Sequence, residues 1–348
     1  MNGAERMRFR LLDEANECSL GKIASGASRD LEGRMSGIRI ARRDLLLSAS
    51  VIAGAALTGV PARAQNTSNF EFGVRDLVFS NVGGKPRLAR LYQPVGAGPF
   101  PAIVQLHGGA WTGKDRTDGQ HMSLELAAAG FVVLAIEFRN GSEAPYPASA
   151  SDINYAIRWM KFHAREFGSS ADRVGLYGTS SGGHQALLAA MRPEDTRYRA
   201  QILSEAPDMD ARAAFVVSGW GVLYPLVRYE LAKARGDAGL VKSHETFFGS
   251  SEAQLEATPA LILERGEKVF LPPAMVFQGD QDEWTSVELA NRLADGWRKG
   301  GGQFDLLLLE GEKHTFLNDY PFRPNTLKAA AAVKDFAKRN GAGKSAAR

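Results

Sequence analysis

Val174-Gly175-Leu176-Tyr177-Gly178-Thr179-Ser180-Ser181-Gly182-Gly183-His184-Gln185-Ala186-Leu187-Leu188-Ala189-Ala190-Met191 is the stretch that decides how this chain folds. Its first four residues form a short apolar run typical of a strand. Gly182–Met191 then reads as a helix rich in Ala and Leu. Between them lies G-x-S-x-G, with glycines where a strand must turn sharply into a helix and two backbones must approach closely. Alone the pattern is weak; a strand before it and a helix after it give it meaning.

The same alternation extends outward. Phe70–Ser80 and Pro86–Gln93 read as two early strands turning at Gly83-Gly84. Pro101–Leu106 is a short buried strand, and the unbroken apolar run Phe131–Phe138 is a strand covered on both faces. Ser149–Phe167 carries Ile153, Ala156, Ile157, Met160 and Ala164 at helical spacing, with Gly168 as its stop. Ala214–Ser218, Ala274–Gln278 and Phe304–Leu309 are further strands. Ser286–Lys299, ended by Gly300-Gly301-Gly302, and Thr326–Arg339 are helices. Strands alternating with helices predict an α/β domain with a mainly parallel sheet and helices on both faces. Residues 219–270 break the rhythm with Trp220, Tyr224, Tyr229, Phe247 and Phe248 among charges, and read as an insertion over the end of the sheet.

The chain has 348 residues, 44% of them hydrophobic, with 42 Lys and Arg against 39 Asp and Glu. This composition supports a large core and excludes a disordered chain, a collagen or a disulfide scaffold. Residues 1–64 hold 10 basic and 7 acidic residues, so residues 65–348 hold 32 of each and are formally neutral. A nucleic-acid partner is not expected of such a body.

Arg42-Arg43 precede an uncharged stretch, Leu45–Val60, that ends at Pro61-Ala62-Arg63-Ala64. A basic region, an apolar region and an A-x-A site form a secretory signal, and paired arginines resemble the twin-arginine type. Sixteen uncharged residues with Gly and Ser among them are short for a membrane-spanning helix, so no stable membrane anchor is expected. The expected organisation is an extension at 1–34 that precedes the true start at Met35, a twin-arginine signal at 35–64, and one mature domain at 65–348. The export machinery would be the precursor's partner, and the mature chain would be periplasmic or secreted. The single cysteine, Cys18, lies ahead of the cleavage site.

Ser180 is the candidate nucleophile, set at the start of a helix. Leu106-His107-Gly108-Gly109-Ala110-Trp111 follows another strand, and its glycines free backbone amides to point outward. The amides of Gly109, Ala110 and Ser181 are the candidate donors to an oxyanion. A serine hydroxyl needs a base. Of six histidines, His314 alone combines a preceding strand, a loop and a position near the close of the chain. The imidazole needs an orienting carboxylate, and Gly279-Asp280-Gln281-Asp282-Glu283 supplies three; Asp282 is preferred, with Asp280 as the alternative. Trp111, Trp220 and Trp284 are candidates to line the substrate site. No metal motif or phosphate loop is present, so neither a cofactor nor a metal is expected.

Taken together, these motifs resemble an α/β-hydrolase of the esterase and lipase type over about residues 75–340. His107-Gly108-Gly109-x-Trp111 resembles the oxyanion motif of arylformamidases and of bacterial esterases grouped with feruloyl and acetyl-xylan esterases. Glu137-Phe138-Arg139 and the following Ser142-Glu143-Ala144-Pro145-Tyr146-Pro147 resemble another stretch of that group, which implies a structural pair of Arg139 and Asp152. Ser180-Ser181-Gly182-Gly183-His184 resembles the esterase elbow. Gly279-x-x-Asp282 and Gly311-x-x-His314-x-Phe316 resemble the acid and base loops, which favours Asp282 over Asp280. The chain departs from the pattern at Ala110, where a related group has Gly, and at Trp284-Thr285-Ser286, where Val-Pro is common.

The resemblance implies a secreted serine carboxylic-ester hydrolase acting on short-chain or aromatic acyl esters, free or linked to a polymer. An arylformamidase-type amide hydrolase is the alternative, and a non-catalytic binding protein on the same fold is a third reading.

Overall fold

The computed structural model describes residues 69–319 and 322–342. The extension and the signal segment therefore lie outside the described residues. Eight strands form one sheet. They are β1 (Phe72–Val82), β2 (Lys85–Pro94), β3 (Ala102–Leu106), β4 (Val132–Ile136), β5 (Val174–Thr179), β6 (Val216–Gly219), β7 (Ala274–Gly279) and β8 (Phe304–Leu309). Their spatial order is β1-β2-β4-β3-β5-β6-β7-β8. Only the pairings of β2, with β1 and with β4, are antiparallel. From β4 to β8 every pair is parallel.

The β1–β2 hairpin turns where Gly83 and Gly84 both take positive φ, +62° and +73°, the geometry a two-residue hairpin demands. In the central strands β3, β4 and β5 every residue is buried, because alternate side chains serve opposite faces and both faces are covered. Ile103, Val133, Tyr177, Phe215, Val217 and Phe277 join one core with Met122 and Leu126 of α1 (Gln120–Ala128) and Val333 and Phe336 of α9 (Pro324–Asn340). A contiguous row is made by α2 (Ala148–Phe162), α3 (Ser181–Met191), α7 (Pro259–Glu264) and α8 (Val287–Lys299), with α2 and α3 against the central strands.

Most expected elements form within two residues of their expected ends. Helix α1 was not expected: it starts at Gly119 (φ +71°), with no side-chain cap to announce it. The helix expected over 149–167 ends five residues early, at Phe162. There the chain tightens: Phe167 N donates to His163 O, and Ser169 N to Ala164 O at 2.7 Å, across Gly168 at φ +76°.

The segment 219–270 continues from β6 and is helical. It holds α4 (Pro225–Ala234), α5 (Ala238–Phe248), α6 (Ser251–Glu256) and α7. Asp237 and Ser250 cap α5 and α6 through the amides of Leu240 and Ala253, and Gly249 at φ +74° closes α5. The segment lies on the loop after β3, where Phe247 of α5 stacks on Trp111. It is tied down by the Tyr146 hydroxyl, which meets Tyr198 at 2.6 Å and Glu256 at 2.8 Å, while Arg192 and Arg197 also reach Glu256. No helix among the described residues is long and apolar enough to cross a membrane.

Candidate active site

From β3 the chain moves one way along the sheet to β4, then returns to lay β5 on the other flank of β3. At such a switch point the two following loops diverge and leave a crevice beyond the strand ends. The loop after β3 is His107–Gly113; the turn after β5 is Ser180. Their proximity explains the glycines. A Cβ on Gly182 would lie 2.4 Å from His107 O, and one on Gly178 would lie 2.3 Å from Gly182 O. Neither position has room for a side chain.

Ser180 itself has φ 52° and ψ −122°, a conformation that is costly for a residue with a Cβ. Three backbone bonds hold it there. Its amide donates to Gly219 O at 2.9 Å, and its carbonyl accepts from His184 N and Val222 N.

The structure brings the three triad candidates together. Ser180 Oγ lies 3.0 Å from His314 Nε2, and His314 Nδ1 lies 2.9 Å from Asp282 Oδ2. The side chain of Asp282 is fully buried. Its other oxygen, Oδ1, accepts the amides of Trp284 at 2.8 Å and Thr285 at 3.3 Å. Asp280 does a different job: its Oδ1 accepts the amide of Gly311 at 2.8 Å and ties the acid loop to the base loop. Gln278 and Thr285 brace the acid loop, through a Gln278 Nε2 bond to Thr285 O and a Thr285 Oγ1 bond to Gly221 O at 3.2 Å.

The loop after β3 turns through three consecutive positive φ values, 95° at Gly109, 50° at Ala110 and 63° at Trp111. Such a run turns successive amides toward one side. Among the described residues the amides of Gly109, Ala110 and Ser181 donate to no protein acceptor. The amide of Trp111 is used: it donates to Ser181 Oγ at 3.1 Å. His107 stacks on Phe138 with ring centroids 4.2 Å apart, and its Nδ1 donates to Gly108 O. Burial pushes its pKa down, so it is a neutral brace for the loop.

Two of the three expected lining tryptophans are not lining residues. Trp111 is 1% exposed and Trp220 is fully buried. Trp220 packs edge-on against Phe277 and Phe316. Trp111 sits among Phe247, Phe248, His184 and His244, and its indole N–H donates to His184 Nδ1 at 3.2 Å. Both side chains belong to packed clusters, because aromatic area is drawn into the core unless something holds it out. Trp284 keeps part of its surface, with the guanidinium of Arg235 4.8 Å from its ring centre.

His184 donates from Nε2 to Ala257 O at 2.8 Å while accepting from Trp111. Burial holds it down at about 4. His244, likewise buried, is held at about 3, and its Nδ1 donates to Gln254. Arg139 grips Asp152 from its amide, Nε and Nη2, as the structural pair implied. Among the described residues no group of three or more His, Cys, Asp or Glu is placed to hold a metal. A cavity of about 540 Å³ lies at the opposite end of α3 from Ser180, lined by Arg192, Asp195, Arg212 and Glu267. Arg228, absent from the residues the sequence points to, lies 5.7 Å from the ring of Trp111 and 5.8 Å from that of Trp284; its one signal in the sequence is a charge beside the apolar Leu226 and Val227.

A mainly parallel eight-stranded sheet with a strained serine between β5 and its helix defines an α/β-hydrolase. The chain belongs to the BD-FAE family, whose model matches residues 90–296, more than half of its length. It is similar to the probable carboxylic ester hydrolase LipM of Mycobacterium tuberculosis, at 27% identity over 58% of this chain and 46% of that one. It is also similar to the esterase LipC of the same organism, at 28% identity over 63% of this chain and 53% of that one. The chain thus spans about half the length of the curated relatives it matches. Among solved structures it shares its fold with the esterase Est2 of Thermogutta terrifontis, with a TM-score of 0.61 and 22% identity over 81% of this chain and 96% of that one.

Proposed function

We propose that the protein is a serine carboxylic-ester hydrolase. The observation that carries this reading is the line from Ser180 Oγ through His314 to buried Asp282, beside three amides with no protein acceptor. The kinship with carboxylic ester hydrolases supports it.

The geometry supplies each step. His314 Nε2 takes the proton of Ser180 as its oxygen attacks the ester carbonyl carbon. His314 Nδ1–H points to Asp282, which fixes the tautomer and steadies the imidazolium. Negative charge develops on the former carbonyl oxygen and is met by the amides of Gly109, Ala110 and Ser181, each worth about 3 kcal/mol of barrier. His314 returns its proton to the leaving alcohol, leaving an acyl group on Ser180. Water, deprotonated by the same imidazole, then attacks the acyl carbon and frees the acid and the serine.

Short-chain or aromatic esters are the proposed substrates, free or carried on a polymer. A panel of acetyl, butyryl, feruloyl and formamide compounds tests this; turnover of N-formylkynurenine above every ester would replace the reading with an amide hydrolase. The Ser180→Ala variant must lose p-nitrophenyl acetate turnover, and an active-site phosphonate must label Ser180. Without labelling, the fold would serve binding alone.

We also propose that the protein is exported through the twin-arginine route to the periplasm or beyond. Arg42-Arg43, the apolar stretch after them and Ala62-Arg63-Ala64 support this. Cell fractionation of the wild type against the Arg42→Lys/Arg43→Lys double variant checks it: retention of the precursor in the variant is the expected result.

A further inference from the structure

We propose that Arg228 is a specificity-determining residue that binds a carboxylate carried by the ester, so that the protein favours half-esters of dicarboxylic acids over neutral esters of the same length. This rests on the ester-hydrolase reading above.

Arg228 lies on α4 and is 5% exposed, a narrow remaining route to solvent. Its Nε and Nη1 are buried without a hydrogen-bond partner. It forms no ion pair among the described residues. Two carboxylates are near enough to act on its charge, Asp282 and Asp237, and both are committed. Asp282 is divided between His314 and the amides of Trp284 and Thr285. Asp237 caps Leu240. Arg235, over the same Trp284 ring, is paired with Glu283, and His184 and His244, which feel the charge of Arg228, are neutral.

Burial lowers the pKa of Arg228 to about 10, so it remains charged at neutral pH. A buried charge without a partner is strongly unfavourable. The faces of Trp111 and Trp284 soften that cost but leave the N–H groups unmet. Nη2 also makes no hydrogen bond among the described residues, so the planar guanidinium can meet a carboxylate in a two-pronged pair through Nη2 with Nε or through Nη2 with Nη1.

The location ties this charge to the chemistry. Trp284 is two residues past Asp282, and Trp111 follows the amides of Gly109 and Ala110. The two rings flanking Arg228 therefore belong to the loops that build the two halves of the reaction centre.

The test compares monomethyl glutarate with methyl valerate, similar in length and differing by the carboxylate, on the full mature enzyme by pH-stat titration. The wild type should favour monomethyl glutarate in kcat/KM by about tenfold or more. Arg228→Met should lower that preference by about tenfold or more, chiefly through KM, and Arg228→Lys should restore part of it. A wild type with no preference, or a preference unchanged in Arg228→Met, overturns the proposal. If Arg228→Met does not fold, inhibition of wild-type methyl valerate hydrolysis decides: glutarate must inhibit at lower concentration than valerate, and equal inhibition overturns it. If neither ester turns over and Ser180 is not labelled, the hydrolase reading has failed. Calorimetric binding of glutarate to wild type and Arg228→Lys then judges Arg228 alone, and equal affinity overturns its role.

Discussion

The hydroxyl of Ser181 accepts the backbone amide of Trp111 at 3.1 Å, joining positions that are 70 residues apart in the chain. In the proposed mechanism Ser181 therefore has two tasks: its amide is one oxyanion donor, and its hydroxyl fastens the loop that carries the other two. Ser181→Ala leaves the Trp111 amide buried and unmet, a loss of about 1–3 kcal/mol. We expect lower stability in urea titration together with a fall in kcat of about tenfold or more, since donors must be placed to fractions of an ångström. A stability loss with unchanged kcat would show that the loop holds its shape without this bond.

The two aspartates of the acid loop should separate cleanly. Asp282→Asn presents an amide to His314 and disfavours the working tautomer; kcat should drop by about 10³–10⁴ with the far-UV spectrum unchanged. Asp280→Ala removes the acceptor of the Gly311 amide and should cost about 1 kcal/mol of stability, with kcat within about tenfold of wild type. Equal kinetic losses would contradict the assignment of Asp282.

Space at the elbow predicts a contrast between two glycines. A methyl group at Gly182 would stand 2.4 Å from His107 O, whereas one at Gly113 would stand 3.7 Å from Gly109 O, an ordinary contact. Gly182→Ala should lose about 3 kcal/mol or more, or fail to accumulate as soluble protein. Gly113→Ala should stay within about 1 kcal/mol of wild type in urea titration.

Acid should unfold the protein through its buried imidazoles. A free histidine titrates near 6.5. In the folded chain His184 is held to about 4 and His244 to about 3, so both stay neutral where the unfolded chain takes up protons. Stability should be at its plateau above about pH 6.5 and fall as pH drops toward 4, by up to about 1.4 kcal/mol per pH unit for each ring. Urea titrations across that range should give a shallower slope for His184→Gln, by as much as one proton; an unchanged slope would remove His184 as a contributor.

The sheet was legible because its strands are short apolar runs whose ends carry the functional loops. Ser180 and His314 each sit just past such an end, and strand, turn and helix fix where their side chains must lie. The choice between Asp280 and Asp282 was harder. Both follow β7, and what separates them is the other end of each bond, Gly311 for one and His314 for the other, which chain order does not contain. The burial of Trp111 and Trp220 is not legible in the sequence, because residue type does not say which side of a wall a ring faces. Trp111 and Trp220 are claimed by Phe247, Phe248, Phe277 and Phe316, residues far away in sequence. Helix α1 escaped because Gly119 opens it without a cap, and Arg228 because a lone cation beside Leu226 and Val227 reads as the outer face of a helix.

Trp111 serves two masters: its amide is bolted to the elbow, while its ring is the centre about which the helical cover is packed. Residues 219–270 and the turn at Ser180-Ser181 are therefore joined through one residue. Exchanging residues 219–270 for those of a relative should therefore also disturb the His107–Gly113 loop, through the contacts of Phe247 and Phe248 with Trp111. On the proposed hydrolase reading, a change of selectivity made in residues 219–270 should also change turnover, and directed evolution for selectivity should find its compensating substitutions in the His107–Gly113 loop.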